Sequence, residues 1–154
     1  MTFDEVLARF QRQCARMEYC SSDVHRKALK ALNGDAEAAS RLVASLVDDR
    51  FVDDRRYAVA FAREKASLQG WGPVKISLQL RGKGIPDETV RAALAEIDVE
   101  KASDTLDRLV AAKFRTLRED PQCRLKLLRF ALGRGFSYDE AAAAVDHVMK
   151  GGRD

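Results

Sequence analysis

The chain is poor in the residues on which compact functional motifs depend. Among 154 residues it has three prolines, three cysteines, two histidines and one tryptophan. Scarce Pro beside plentiful Ala and Leu favours helix over strand, because Ala and Leu lose little entropy in a helix and Pro breaks one. Cys14, Cys20 and Cys123 form no C-x-x-C pair, so closely spaced thiolate ligands for zinc are lacking. An odd thiol count without a signal peptide fits reduced cysteines in a cytoplasmic protein. Cys14 falls on an apolar helical stripe, where a small core residue belongs. No apolar run approaches the roughly 20 residues of a membrane span, so no membrane partner is expected.

Catalytic patterns are missing as well. There is no G-x-x-x-x-G-K-[ST] phosphate loop, no G-x-G-x-x-G after a strand and no H-E-x-x-H. His25 and His147 lie too far apart in sequence for metal-ligand spacing. Asp48, Asp49, Asp53 and Asp54 could form a carboxylate cluster, but they flank a helix end and a helix start, where caps are needed. Gly133-Arg134-Gly135 is too short to cradle phosphate and reads as a helix stop. The chain is expected to be a binding protein, not an enzyme, with no cofactor and no metal.

What is present is charge, unevenly spread. The net charge is only +3. Yet Arg55, Arg56, Arg63, Lys65, Lys75, Arg81 and Lys83 stand against one acid, Glu64, over residues 55–83. Lys113, Arg115, Arg118, Arg124, Lys126, Arg129 and Arg134 stand against Glu119 and Asp120 over residues 113–134. Such local excess suits a polyanionic or acidic partner, although a solvated helix face would look similar.

The apolar residues repeat. Phe3, Val6, Leu7, Phe10, Cys14 and Met17 define one face of a first helix. Ser21, Ser22 and Asp23 can start a second, and Asn33-Gly34 can end it. Asp35 can cap a third, bearing Ala39, Leu42, Val43 and Leu46. That quartet recurs at Val90, Ala93, Leu94 and Ile97 and again at Ala141, Ala144, Val145 and Val148, displaced each time by 51 residues. Lys83-Gly84-Ile85 and Arg134-Gly135-Phe136 keep the same displacement, as do Phe10 and Phe61. A phase held across three copies indicates tandem three-helix units.

Punctuation between the helices agrees with that count. Asp53 or Asp54 can open a helix running to about Gln69, with Gly70 as its stop. Pro73 suits the first turn of the next helix and Gly84 its end; Pro86, Asp87 and Glu88 open another. Asp120-Pro121 and the capping box Ser137-x-x-Glu140 serve the last unit. The expected fold is all-α: three tandem three-helix, helix-turn-helix-like repeats over residues 1–50, 51–98 and 99–150, in an elongated curved array, with a tail at 151–154. Units of about 50 residues bury little alone and must lean on one another.

On the helix from Asp54, Tyr57, Phe61 and Leu68 fall within a narrow arc that should be core. Arg55, Arg56 and Arg63 fall on the roughly opposite arc, a stripe suited to phosphates or acidic side chains. Trp71, in Gly70-Trp71-Gly72-Pro73, reads as a wedge between helices, with stacking on a base as the alternative.

Phe51-Val52-Asp53-Asp54-Arg55-Arg56-Tyr57-Ala58 with Phe61, then Gly70-Trp71-Gly72-Pro73, Ile76, Leu80 and Lys83-Gly84-Ile85, resembles the RecX family. Leu128-Arg129-Phe130-Ala131 and Arg134-Gly135-Phe136 resemble its last repeat. The first unit departs, having Asn33-Gly34-Asp35 where a glycine followed by a large apolar residue is more typical. The resemblance implies a curved array of helical repeats. It also implies binding to RecA recombinase filaments on single-stranded DNA, with some direct DNA affinity, and restraint of ATP hydrolysis, strand exchange and co-protease activity in recombination, DNA repair and the SOS response. From charge and helix face, Arg55, Arg56, Arg63, Lys75, Lys83, Lys126, Arg129 and Arg134 are the candidate contacts, on a monomer. A direct DNA-binding helical module and a generic helical adaptor are the alternatives.

Overall fold

In the computed structural model, which describes residues 1–151, every regular element is a helix. In chain order these are α1 (Phe3–Arg16), α2 (Ser21–Ala31), α3 (Ala36–Asp48), α4 (Asp54–Ser67), α5 (Pro73–Gly82), α6 (Asp87–Ala95), α7 (Val99–Leu117), α8 (Cys123–Gly133) and α9 (Tyr138–Gly151). Side-chain caps sit where short polar residues invite them. Thr2, Asp35, Asp53 and Asp98 accept from backbone N–H groups of their own helices, and Pro73 takes the first turn of α5. Ser137 and Glu140 exchange hydrogen bonds as a reciprocal capping box at α9.

The second helix of every trio ends in the same way. Asn33, Gly84 and Gly135, 51 residues apart, have φ of 58°, 78° and 97°. The N–H one residue further on reaches back to the helix: Gly34 to the Leu29 carbonyl, Ile85 to Leu80 and Phe136 to Ala131. This is the 6→1 bond of a Schellman cap, repeated three times. Ile85 and Phe136 follow the turn with side chains buried in their cores. Gly34 stands at their place in the first trio and contributes none.

Three apolar cores follow one another. The first joins α1, α2 and α3 around Val6, Phe10, Val24, Leu42 and Leu46 and takes in Val52. The second joins α4, α5 and α6 around Ala58, Ala62, Ile76, Leu80 and Val90, and takes in Cys20 from the preceding trio. The third joins α7, α8 and α9 around Leu106, Val110, Leu127, Ala131 and Val145. Helices pack mainly within their own trio, α1 doing so chiefly against α3, and between trios helix meets helix only narrowly, chiefly where α4 touches α7. The surface reflects this open build: 9678 Å² is accessible, against roughly 7,800 Å² for a compact chain of this mass. No described helix is long and apolar enough to cross a membrane.

Two expectations for the core fail. Leu68 is 76% exposed, because α4 stops at Ser67 and leaves it as the C-cap. The deepest residues of α4 are Ala58 and Ala62, with Tyr57 and Phe61 half-buried beside them. Met17 is likewise exposed, being the residue after α1. Gly151 is the last residue of α9, and the rest of the tail expected at 151–154 lies outside the described residues.

Candidate functional site

The eight candidate cations fall into four groups by environment. Arg56, Lys83 and Arg134 are used inside the protein. Arg56 Nε donates to both carboxylate oxygens of Glu18, at 2.9 and 2.7 Å, and its Nη2 donates to the Arg50 and Phe51 carbonyls. Lys83 Nζ donates to Asp23 at 2.8 Å. Arg134 Nη2 donates to the Gln69 carbonyl, and its Nε is buried without a partner.

Arg63 and Lys126 are exposed but locally neutralised, by Glu96 at 3.2 Å and Asp120 at 2.5 Å. Lys75 lies 4.4 Å from the centre of the Trp71 ring. Arg55 and Arg129 are exposed with no ion pair among the described residues. The stripe expected along α4 is therefore mostly paired, and its field is weaker than its sequence suggests.

Trp71 is half-buried and meets Phe61 edge-on, with centroids 6.2 Å apart, as a wedge in the second trio. Lys65 and Lys75 both sit over its ring, at 5.0 and 4.4 Å. Cations already occupy the indole, which works against stacking on a base. The ring also borders a cleft of about 540 Å³ between the second and third trios, with Leu94, Ile97 and Leu106.

The motif residues around these cations build two joints between trios. At the first, Asp54 accepts from the Ser21 N–H at 2.8 Å and from Ser21 Oγ at 2.6 Å. Ser22 Oγ donates to the Lys83 carbonyl at 2.7 Å. Burial would push the Asp23 carboxyl up, but hydrogen bonds from Lys83 and Cys20 and the charges of Lys83 and Arg26 outweigh it. The group is held below its ordinary value. The hydrogen bond to Asp23 raises Lys83 in turn. Arg56, hydrogen-bonded to Glu18, is raised too.

At the second joint the main chains touch. Gly72 N–H donates to the Arg134 carbonyl at 2.7 Å and Val74 N–H to the Gly135 carbonyl at 2.9 Å. A Cβ on Gly72 would run into the Gly135 carbonyl and lie 2.6 Å from the Phe136 nitrogen. One on Gly135 would run into Lys75 Cβ and lie 2.8 Å from the Lys75 nitrogen. Only glycine allows that approach. Both joints thus set the start of one second helix against the end of another, so α8, α5 and α2 form an end-to-end row.

Charge is sorted by helix position. The second helices are basic: Arg26, Lys27 and Lys30 on α2, Lys75 and Arg81 on α5, and Arg124, Lys126 and Arg129 on α8, with Asp23 their only acid. The third helices lean acidic: Glu37 and Asp48 against Arg41 on α3, Asp87 and Glu88 against Arg91 on α6, and Asp139, Glu140 and Asp146 against Lys150 on α9. A helix-turn-helix reader places its last helix in the major groove, where these carboxylates would meet phosphate.

Sequence reasoning missed the exposed apolar residues of the second helices, Val74 and Leu78 on α5 and Leu125 and Leu132 on α8. Removing the core positions from each 51-residue copy would have left them over, since Val74 and Leu125 are themselves 51 apart. The three cysteines are buried and unpaired, and burial raises each thiol. That keeps the reactive thiolate scarce at neutral pH. Among the described residues no group of His, Cys, Asp and Glu could hold a metal ion; Asp53 caps α4 and Asp54 ties the first joint.

This arrangement has known relatives. A family model described as RecX, second three-helix domain, matches residues 53–94. A regulatory protein RecX of Thermus thermophilus is 38% identical over 140 residues, covering 91% of this chain and 89% of that one. That of Chromohalobacter salexigens is 30% identical over 142 residues, covering 92% and 91%. The crystal structure of RecX from Lactobacillus salivarius shares the fold, with a TM-score of 0.81 at 21% identity over 95% of this chain and 96% of that one. With relatives named as regulators aligned along nearly its whole length, the chain belongs to the RecX family of regulatory proteins.

Proposed function

We propose that the protein binds the RecA recombinase filament on single-stranded DNA and restrains its ATP hydrolysis, strand exchange and co-protease activity. The observation that carries this reading is membership in the regulatory RecX family, with relatives aligned over about nine-tenths of this chain, joined to a build that suits it. Three units, over residues 1–50, 51–98 and 99–150, form an open row with far more surface than a compact chain of the same mass. Such a body can span neighbouring subunits of a filament and resist the cycling that ATP turnover requires. Binding one conformation better than the other is what restrains an equilibrium.

Arg55, Arg63, Lys75, Lys126 and Arg129 serve as partner contacts in this reading, because they reach the surface. Arg56, Lys83 and Arg134 hold the units together. Direct reading of duplex DNA is disfavoured by the acidic third helices.

The test is the single-stranded-DNA-dependent ATPase of the cognate recombinase. Added protein lowers the rate at well below one copy per recombinase subunit. An unchanged rate at equimolar protein, with the filament intact, removes the reading. Tight duplex binding without recombinase, falling steeply with salt, would favour a DNA-binding module instead.

A further inference from the structure

The helices α5 and α8 carry a surface that the cores and joints do not use. Neither has an acid anywhere along its length. At the i, i+4, i+7 positions of one face, α5 presents Val74, Leu78 and Arg81, and α8 presents Leu125, Arg129 and Leu132. The four apolar residues are 55, 66, 43 and 41% exposed, in chain order. Position by position the two faces are the same part of the repeat, 51 residues apart.

The two faces are also linked through the backbone. Gly135 donates to the Leu132 carbonyl, and its own carbonyl accepts from Val74. The end of the α8 face therefore abuts the start of the α5 face. In the first trio the same positions are Asp23, Lys27 and Lys30, with no apolar side chain, and Asp23 is spent on Lys83.

We infer that the α8–α5 face is a docking surface for an acidic, amphipathic protein segment, a helix with apolar side chains at matching spacing and carboxylates beside them. Large exposed apolar side chains in a repeated pattern mark an interaction surface more than scattered ones do. A helix that fits such a surface is read through i, i+4 and i+7 anchors. Beside them Arg129 is exposed with no ion pair among the described residues, and Lys75 lies over the Trp71 ring. Arg81 and Lys126 sit in exposed pairs with Asp87 and Asp120 that an incoming carboxylate can share. Such cations select carboxylates and reject a basic partner. Phosphate backbone would use those cations but gains nothing from four aliphatic side chains, so a protein segment fits better than nucleic acid. The inference deepens the proposed function, naming the chemistry that the recombinase would present.

Two measurements test it. In the recombinase ATPase, Leu78→Asp and Leu132→Asp lose at least tenfold in inhibitory potency, while Arg91→Glu, exposed on α6, stays within about twofold; circular dichroism checks that each variant is folded. Equal potency of all three overturns the inference and leaves the functional reading standing. A parallel tenfold loss of affinity for oligo(dT) overturns it in favour of a phosphate-binding face.

The second measurement does not need the recombinase. The labelled chain is titrated with a synthetic helix bearing Leu at i, i+4 and i+7 and Glu beside them, and amide shifts are followed. Shifts confined to α5 and α8, and lost in Leu78→Asp, support the surface; shifts elsewhere, or none, overturn it. If the wild-type protein leaves the ATPase unchanged, the functional reading fails alone and this titration still decides.

Discussion

The two joints of the row perform one task with different chemistry. Between the second and third trios, main chain meets main chain across Gly72 and Gly135, and two backbone N–H groups cross the gap. Between the first and second trios, contact runs through side chains: Glu18 with Arg56, Asp23 with Lys83, and Ser21 with Asp54. Lys83 and Arg134 occupy the same repeat position, yet one reaches a carboxylate and the other a carbonyl. A repeat can thus keep its geometry while exchanging a close-packed contact for an electrostatic one. The first contact tolerates almost no added volume; the second responds to charge.

The sharpest way to break this contrast is to place a methyl group at matched positions. Gly135→Ala must hold φ at 97° and put Cβ into Lys75. A loss of about 3 kcal/mol is expected, strain and overpacking acting together. Gly84→Ala has the same left-handed requirement, at 78°, but meets nothing within 4 Å. It should lose about 1 kcal/mol, the conformational cost alone. Urea unfolding of the two variants measures the difference; equal losses would mean that the second joint is not close-packed.

Next in size is the ion pair of the first joint. Lys83→Met leaves the Asp23 carboxylate, 18% exposed, without its main partner. A loss of about 1–2 kcal/mol follows from a charge-assisted hydrogen bond in a partly buried place. In a double-mutant cycle with Asp23→Asn the coupling should be about 1 kcal/mol. A coupling indistinguishable from zero would place this joint's stability in the Ser21–Asp54 contact and in Cys20, which reaches the second core.

Much of this fold could be read from the chain, and the reason is locality. The 51-residue phase, the caps at Asp35, Asp53 and Ser137, and the helix ends at Gly84 and Gly135 depend on residues a few positions apart. Leu68 misled because its arc is right and its helix is one residue too short. The joints were hidden for a different reason. Arg56 and Glu18 are 38 residues apart, Lys83 and Asp23 are 60, and Arg134 and Gln69 are 65. Basic residues scattered over one run look like a single binding stripe until the pairing across trios is known. Gly72 was legible as a turn residue, but its approach to Gly135 was not, because nothing local demands it.

Acid should separate the joints with a smaller effect. The Asp23 carboxyl is held below its ordinary value, so the folded form binds its proton less readily than the unfolded chain. Its contribution is complete above the ordinary value of about 4 and is lost as the pH falls through the depressed one. Lys83 works in the opposite direction: raised in the fold, it contributes fully below its ordinary 10.5 and loses that contribution only as the pH climbs through the higher value. The first joint is therefore held by this pair across the neutral range and loosens at the acid end. The Gly72 and Val74 amides of the second joint bond to carbonyls, which do not titrate. Hydrogen exchange distinguishes the two after correction for intrinsic rates. Between pH 6 and pH 3, protection of the Ser21 N–H should fall severalfold while that of Gly72 and Val74 holds. Parallel loss at both places would show that acid opens the whole row cooperatively and that the joints are not separate.

The mildest probe is salt. At 1 M the Debye length is about 3 Å, comparable with the 2.7 Å contact of the half-exposed Glu18–Arg56 pair, which salt therefore weakens more than it does the more buried Asp23–Lys83 pair. The first joint should weaken by about 0.5 kcal/mol, within the range of exposed ion pairs. A fluorophore pair bridging the first and second trios should then report a broader distance distribution at 1 M NaCl than at 0.05 M. A pair bridging the second and third should not change. Its two backbone hydrogen bonds join uncharged groups, the Arg134 guanidinium meets a neutral carbonyl and not a carboxylate, and burial where α4 packs on α7 is not screened by salt. Equal broadening at both joints would mean that ion pairs hold the second as much as the first. A first joint insensitive to salt would mean instead that Cys20 in the second core and Ser21 on Asp54 fix it without help from its charges.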